Sequence, residues 1–84
     1  MSLRQIRVAL HARAADLAGA PSAGVEVGPK ATAGDVKEAL AALHPGLSGL
    51  LASCALANDR EYLSDRMPVG DGTSFHLIPP VSGG

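Results

Sequence analysis

Thr32-Ala33-Gly34-Asp35-Val36-Lys37-Glu38-Ala39-Leu40-Ala41-Ala42-Leu43, closed by His44-Pro45-Gly46, is the stretch around which the chain organises itself. Thr32 with an acid three residues on, Asp35, has the form of a capping box built with the shorter acid, so a helix is predicted to begin there. Val36, Ala39, Leu40 and Leu43 recur at helical spacing until Pro45-Gly46 stops the run. The apolar stripe lies on one side only. A single helix of this kind cannot bury itself and must cover one face of a sheet.

Working outward, the segments on either side supply that sheet. Ile6, Val8 and Leu10 alternate with Arg7, Ala9 and His11, a period of two that predicts a strand with the first set buried and the second facing out. Ala12 to Ala18, with Arg13, Asp16 and Leu17, suits a short helix or turn that Gly19 and Pro21 end. Gly24 to Gly28 carries Val25 and Val27 on one side of Glu26, a second strand antiparallel to the first. After the main helix, Leu47, Leu50 and Leu51 predict one further helical turn. Cys54–Asn58 and Arg60–Ser64 predict two short strands joined near Asn58-Asp59. Pro68, Gly70, Asp71 and Gly72 place a turn over 67–72. Thr73–Ile78 predicts the final strand, with Phe75 and Leu77 facing away from His76 and Ile78. The order strand, strand, helix, strand, strand, strand predicts an α+β domain of β-grasp (ubiquitin-like) form over residues 1–78: a mixed sheet of about five strands with one main helix packed across it.

Composition narrows the function. With 84 residues, 46% hydrophobic and 18% charged, the chain is one small folded domain with an aliphatic core in which Phe75 is the only phenylalanine. Seven basic against eight acidic side chains leave a net charge of −1, and aromatic residues make up 2%, so there is neither the field nor the stacking surface for nucleic acid. No apolar run approaches the roughly 20 residues of a membrane span or the about 7 to 15 of a signal-peptide core, which points to the cytoplasm and no membrane. The lone Cys54 excludes an intrachain disulfide and reads as a core residue. His11, His44 and His76 with Cys54 lack metal-ligand spacing, so no metal is expected. Gly19, Gly24, Gly28 and Gly34 form no phosphate-binding fingerprint, and Asp59, Arg60 and Glu61 read as a solvated turn. No acid, base and nucleophile constellation supports an enzyme acting alone.

The chemistry is expected at the end of the chain, Ile78-Pro79-Pro80-Val81-Ser82-Gly83-Gly84. Pro79 and Pro80 cannot donate to a ladder, so the last strand stops there and residues 79–84 leave as an extended tail reaching up to ~20 Å. Gly83 and Gly84 carry no Cβ and can thread a passage closed to any side chain, with the terminal carboxylate as cargo.

With this ending on this element order, the chain resembles the MoaD family of ubiquitin-like sulfur carriers, the small subunits of molybdopterin synthase. The resemblance covers nearly the whole chain: Ile6-Arg7-Val8, Ala12-Arg13, Asp16-Leu17-Ala18-Gly19, Thr32-Ala33-Gly34-Asp35-Val36, Ala57-Asn58, Tyr62-Leu63, Pro68-Val69, Asp71-Gly72 and, most specific, residues 78–84. The thiazole carrier ThiS shares the fold and the terminal Gly-Gly but is usually shorter and lacks the di-proline. The resemblance implies that the Gly84 carboxylate is adenylated by a ubiquitin-activating-type (MoeB-like) enzyme using ATP and then converted with a sulfurtransferase's sulfur to a thiocarboxylate. It further implies that Pro79, Pro80, Val81, Ser82 and Gly83 thread this group into the synthase large subunit (MoaE-like), which holds the catalytic side chains. No cofactor is then bound by this chain itself. Where many members carry aromatic residues this chain has Leu77-Ile78 and His11, so the docking patch that the resemblance implies is smaller and more polar; His76, facing out near His11 beside the tail exit, and Tyr62 are expected to join His11 and Ile78 on that surface. Other destinations fit the same tail: thiamine thiazole, tRNA thiolation, cysteine synthesis or attachment to protein lysines. A non-covalent β-grasp interaction module is a further alternative.

Overall fold

The computed structural model describes residues 3–80. In chain order its elements are β1 (Arg4–Leu10), α1 (Arg13–Ala18), β2 (Ser22–Val27), α2 (Ala33–Leu43), a 3₁₀ turn (Pro45–Leu47) running into α3 (Ser48–Leu51), β3 (Ala55–Ala57), β4 (Tyr62–Leu63) and β5 (Ser74–Ile78). The strands form one mixed sheet in the order β2-β1-β5-β3-β4. The first and last strands pair in parallel at its centre, Val8 opposite Phe75 and Leu10 opposite Leu77, and all other pairings are antiparallel. This is the β-grasp arrangement expected from the element order.

The helix starts as its sequence demands. Thr32 Oγ1 accepts from the Asp35 N–H at 3.2 Å and the Thr32 N–H donates to Asp35 Oδ2 at 2.9 Å, a reciprocal cap that the shorter acid closes without difficulty. Ala33, Val36 and Leu40 face the sheet and are buried against Ile6, Val8, Val25, Phe75 and Leu77 in a single core cluster. Leu43 departs from the expected stripe. It is 53% exposed and borders an open groove with Gln5, Gly24, Val25 and Glu26, because the last turn of α2 overhangs edge strand β2. Leu47, fully buried, joins the core after the Pro45-Gly46 turn instead.

A strap from the segment after β4 fastens the start of α2. The Gly34 N–H donates to the Asp65 carbonyl at 2.9 Å, the Ala33 N–H to that of Met67 at 2.9 Å, and the Val69 N–H to that of Ala31 at 3.0 Å. Glycine at 34 suits this approach, since a Cβ there would stand 3.1 Å from the Asp65 oxygen and the strap would have to give by a few tenths of an ångström. Lys37, on the next turn, places Nζ 2.9 Å from Asp65 Oδ1 and donates to the Cys54 carbonyl at 2.7 Å, joining three separate segments.

Strand limits differ from expectation at several ends: β3 is trimmed to Ala55–Ala57, β4 to Tyr62–Leu63 and β5 starts at Ser74, while β2 runs Ser22–Val27. β4 begins at Tyr62 and not Arg60 because Asn58 Oδ1 accepts from the Arg60 and Glu61 N–H groups, both at 2.8 Å, and draws them into a turn. β2 begins at Ser22, which pairs with Ala9, two residues before Gly24. Gly19 ends α1 in the left-handed conformation and donates to the Ala15 and Asp16 carbonyls. Ala12, between β1 and α1, has φ 52° and ψ −125°, a conformation that strains any residue with a Cβ. Among the described residues no helix is long and apolar enough to cross a membrane.

Candidate functional site

The end of β5 is where backbone pairing stops. Ile78 pairs with Ala55, and Pro79 and Pro80, having no N–H, cannot extend the ladder. Pro79 and Pro80 lie along a groove of about 540 Å³ whose other walls are His11, Ala12, Arg13, Leu50 and Ile78. The groove joins the end of β1, the start of α1, α3 and the end of β5. Val81, Ser82, Gly83 and Gly84, which carry the proposed chemistry, lie outside the described residues.

The helices cover one face of the sheet, and the other face runs from this groove toward β4. Register sets Ser22, Ala9, His76, Ala57 and Tyr62 in one row across it, with Ala55 and Ile78 paired in the row nearer the groove. The His11 N–H continues the central ladder by donating to the Leu77 carbonyl at 3.3 Å. Its ring reaches back to His76, Nε2 to Nδ1 at 3.0 Å, and His76 Nε2 stands 3.6 Å from Asp59 Oδ1. Ring centroids 5.3 Å apart with this short N···N contact mean that the two nitrogens point at each other. That is hydrogen-bond geometry. A metal ion would not fit between them, and Asp59 lies on the far side of the His76 ring; among the described residues no three His, Cys, Asp or Glu side chains converge on a metal position.

His11, His76 and Ile78, singled out from sequence, are thus brought together at the base of the tail. Tyr62 is 67% exposed on edge strand β4 and meets His76 and Ile78 around a shallow hollow formed by the β3–β4 turn. Sequence reasoning missed Leu50, Ala12 and Arg13 as groove walls and Asp59 as the partner of His76. Leu50 was open to discovery, since of the Leu50-Leu51 pair on so short a helix only Leu51 is buried. Asp59 gave no signal, because its partner lies in a strand distant in sequence. Cys54 is buried as expected, and burial pushes its thiol up from the ordinary value against the pull of the Lys37 charge, so it offers no ready nucleophile.

Comparison with known proteins adds the following. Residues 8–84 match the ThiS family. The molybdopterin synthase sulfur carrier subunit of Chlamydomonas reinhardtii is 33% identical over 82 residues, spanning 95% of this chain and 99% of that protein. The protein of the same name from Arabidopsis thaliana is 31% identical over 80 residues, spanning 95% of this chain and 83% of that one. Among solved structures, the small archaeal modifier protein 1 of Haloferax volcanii superposes with a TM-score of 0.82 at 26% identity, over 92% of this chain and 98% of that one.

Proposed function

The chain belongs to the ThiS family, and from that premise we propose that it is a cytoplasmic sulfur carrier whose Gly84 carboxylate is adenylated, converted to a thiocarboxylate and spent in making molybdopterin. The observation that carries the reading is that a central strand ends on Pro79-Pro80 with Val81-Ser82-Gly83-Gly84 beyond, in a chain similar along nearly its whole length to molybdopterin synthase sulfur carrier subunits.

The chemistry follows from the carboxylate. It is a resonance-stabilised anion that repels nucleophiles and has no good leaving group. Transfer of AMP from ATP by an activating enzyme removes the charge and supplies one, after which sulfur from a sulfurtransferase displaces AMP. ATP is bound by the activating enzyme, and this chain holds no cofactor of its own. Acid–base work on the pterin belongs to the synthase large subunit, into which the tail threads. The groove at Pro79-Pro80 and the open face with His11, His76, Ile78 and Tyr62 dock these partners in turn.

Intact-mass measurement tests this directly. With activating enzyme, ATP and a sulfur source, an exposed terminus gains about 16 Da as one oxygen becomes sulfur. Deleting Gly84, or adding a residue after it, abolishes the gain with the fold intact; loading of the extended chain would refute the reading. The likeness to small archaeal modifier protein 1 favours one other fate for the same activated glycine, attachment to an amine on another protein.

A further inference from the structure

An activated glycine terminus acylates any amine it meets, so a carrier of such a group must contend with its own side chains. The chain contains two lysines, Lys30 and Lys37, against five arginines. Guanidinium groups keep their protons and are not nucleophiles, so Arg13, which lines the groove at Pro79-Pro80, is harmless to the tail. The lysines are placed differently from each other.

Lys37 is the nearer amine. It reaches the carbonyl of Cys54, which immediately precedes the Ala55 that pairs with Ile78, so its head group lies beside the strand end from which the tail leaves. That head group is 12% exposed and is held by Asp65 at 2.9 Å as well as by the Cys54 oxygen at 2.7 Å. To attack a carbonyl it would have to give up both contacts and its proton. Lys30 is exposed, but it lies three residues past Val27, which pairs with Arg4 at the opposite end of β1 from the groove. A seven-residue strand covers roughly 20 Å, and two strand spacings from β5 to β2 add about 10 Å sideways. Four residues past Pro80 reach at most ~14 Å, which is shorter than that separation.

We infer that the carrier is laid out to spare its own activated terminus: the near amine, Lys37, is locked, the open amine, Lys30, is out of reach in cis, and Lys30 is the one side-chain amine of the fold open to acylation, by a second copy. The inference rests on the carrier reading above. In the reaction, the Lys30 Nζ lone pair attacks the Gly84 carbonyl carbon of another molecule's acyl adenylate. The C–N bond forms, the C–O bond to AMP breaks, AMP leaves with the electron pair and a proton passes to solvent. Cys54, buried with its thiol pushed up, does not compete.

The first test uses the full chain and N-hydroxysuccinimidyl acetate as a soluble activated acyl donor, with peptide mapping over time. Lys30 is expected to acetylate at least about tenfold faster than Lys37, whose charge-assisted contacts must break first. Asp65→Asn should raise the Lys37 rate and leave that of Lys30 unchanged. Equal rates in the unaltered chain overturn the inference whether or not the variant folds. The second test adds ATP and the activating enzyme without a sulfur source, with pyrophosphate exchange as the readout of activation. Covalent dimers joined Gly84 to Lys30, and lost in Lys30→Arg, are expected. Linkage at Lys37, a monomer lighter by one water, or exchange without any Lys30 linkage would overturn it. Absence of exchange would sink the carrier reading while the acetylation comparison still stands on its own.

Discussion

The two faces of the sheet are built on opposite terms. On the helix side, Ile6, Val8, Phe75, Leu77, Val36 and Leu40 interlock in a continuous aliphatic core, and the start of α2 is closed by its cap and by the Asp65–Val69 strap. On the other side, Ser22, Ala9, His76, Ala57 and Tyr62 form a thin row with His11 beside it, and no helix among the described residues lies over them. The difference separates two tasks: one face holds the domain together, while the other contributes little to the core and, on the proposed reading, is the one that partners would meet.

That contrast can be broken most severely at Leu40. Leu40→Ala should cost about 2–5 kcal/mol in urea denaturation, a large share of the stability of so small a domain. Tyr62→Ala, on the open face, should change stability by no more than about 0.5 kcal/mol and instead weaken capture by the synthase large subunit by about tenfold or more in a binding titration. If both changes proved purely structural, the division between the faces would be wrong. Ala12→Gly sharpens it at the boundary, since relief of the positive φ should raise stability by about 1 kcal/mol in the same denaturation experiment.

The smallest effect concerns pH and Cys54. Its folded thiol keeps its proton to a higher pH than the unfolded one, so the native state binds more protons in that range. The contribution to stability is therefore fully present below the unfolded thiol's pKa and is lost as pH rises through the folded thiol's higher one. Cys54→Ala should show a shallower alkaline decline than the unaltered chain.

Much of this was legible in the residues. α2 was readable because its signals are local: Thr32 and Asp35 bond each other, and Pro45-Gly46 ends the run wherever it occurs. β1 and β5 were readable because each is buried on one face only, which prints a period of two on Ile6, Val8, Leu10 and on Phe75, Leu77. What was not readable depends on partners far along the chain. Lys37 sits mid-helix like any solvated lysine until residues 54 and 65 arrive beside it, and Asp59 looks like a turn residue until His76 does. Asn58 shortened β4 by offering two N–H groups a side-chain acceptor, a competition that strand patterning cannot weigh. The positive φ of Ala12 left no trace at all, since alanine is the residue least expected to reveal it.

Having the last strand in the middle of the sheet has a consequence during synthesis. Phe75 and Leu77, needed between β1 and β3, follow both of those strands in the chain, so the emerging polypeptide lacks its central pairing until β5 has been made. A product cut short before Ser74 lacks the strand that joins β1 to β3, so the pairs β1–β2 and β3–β4 are left without the ladder that makes them one sheet.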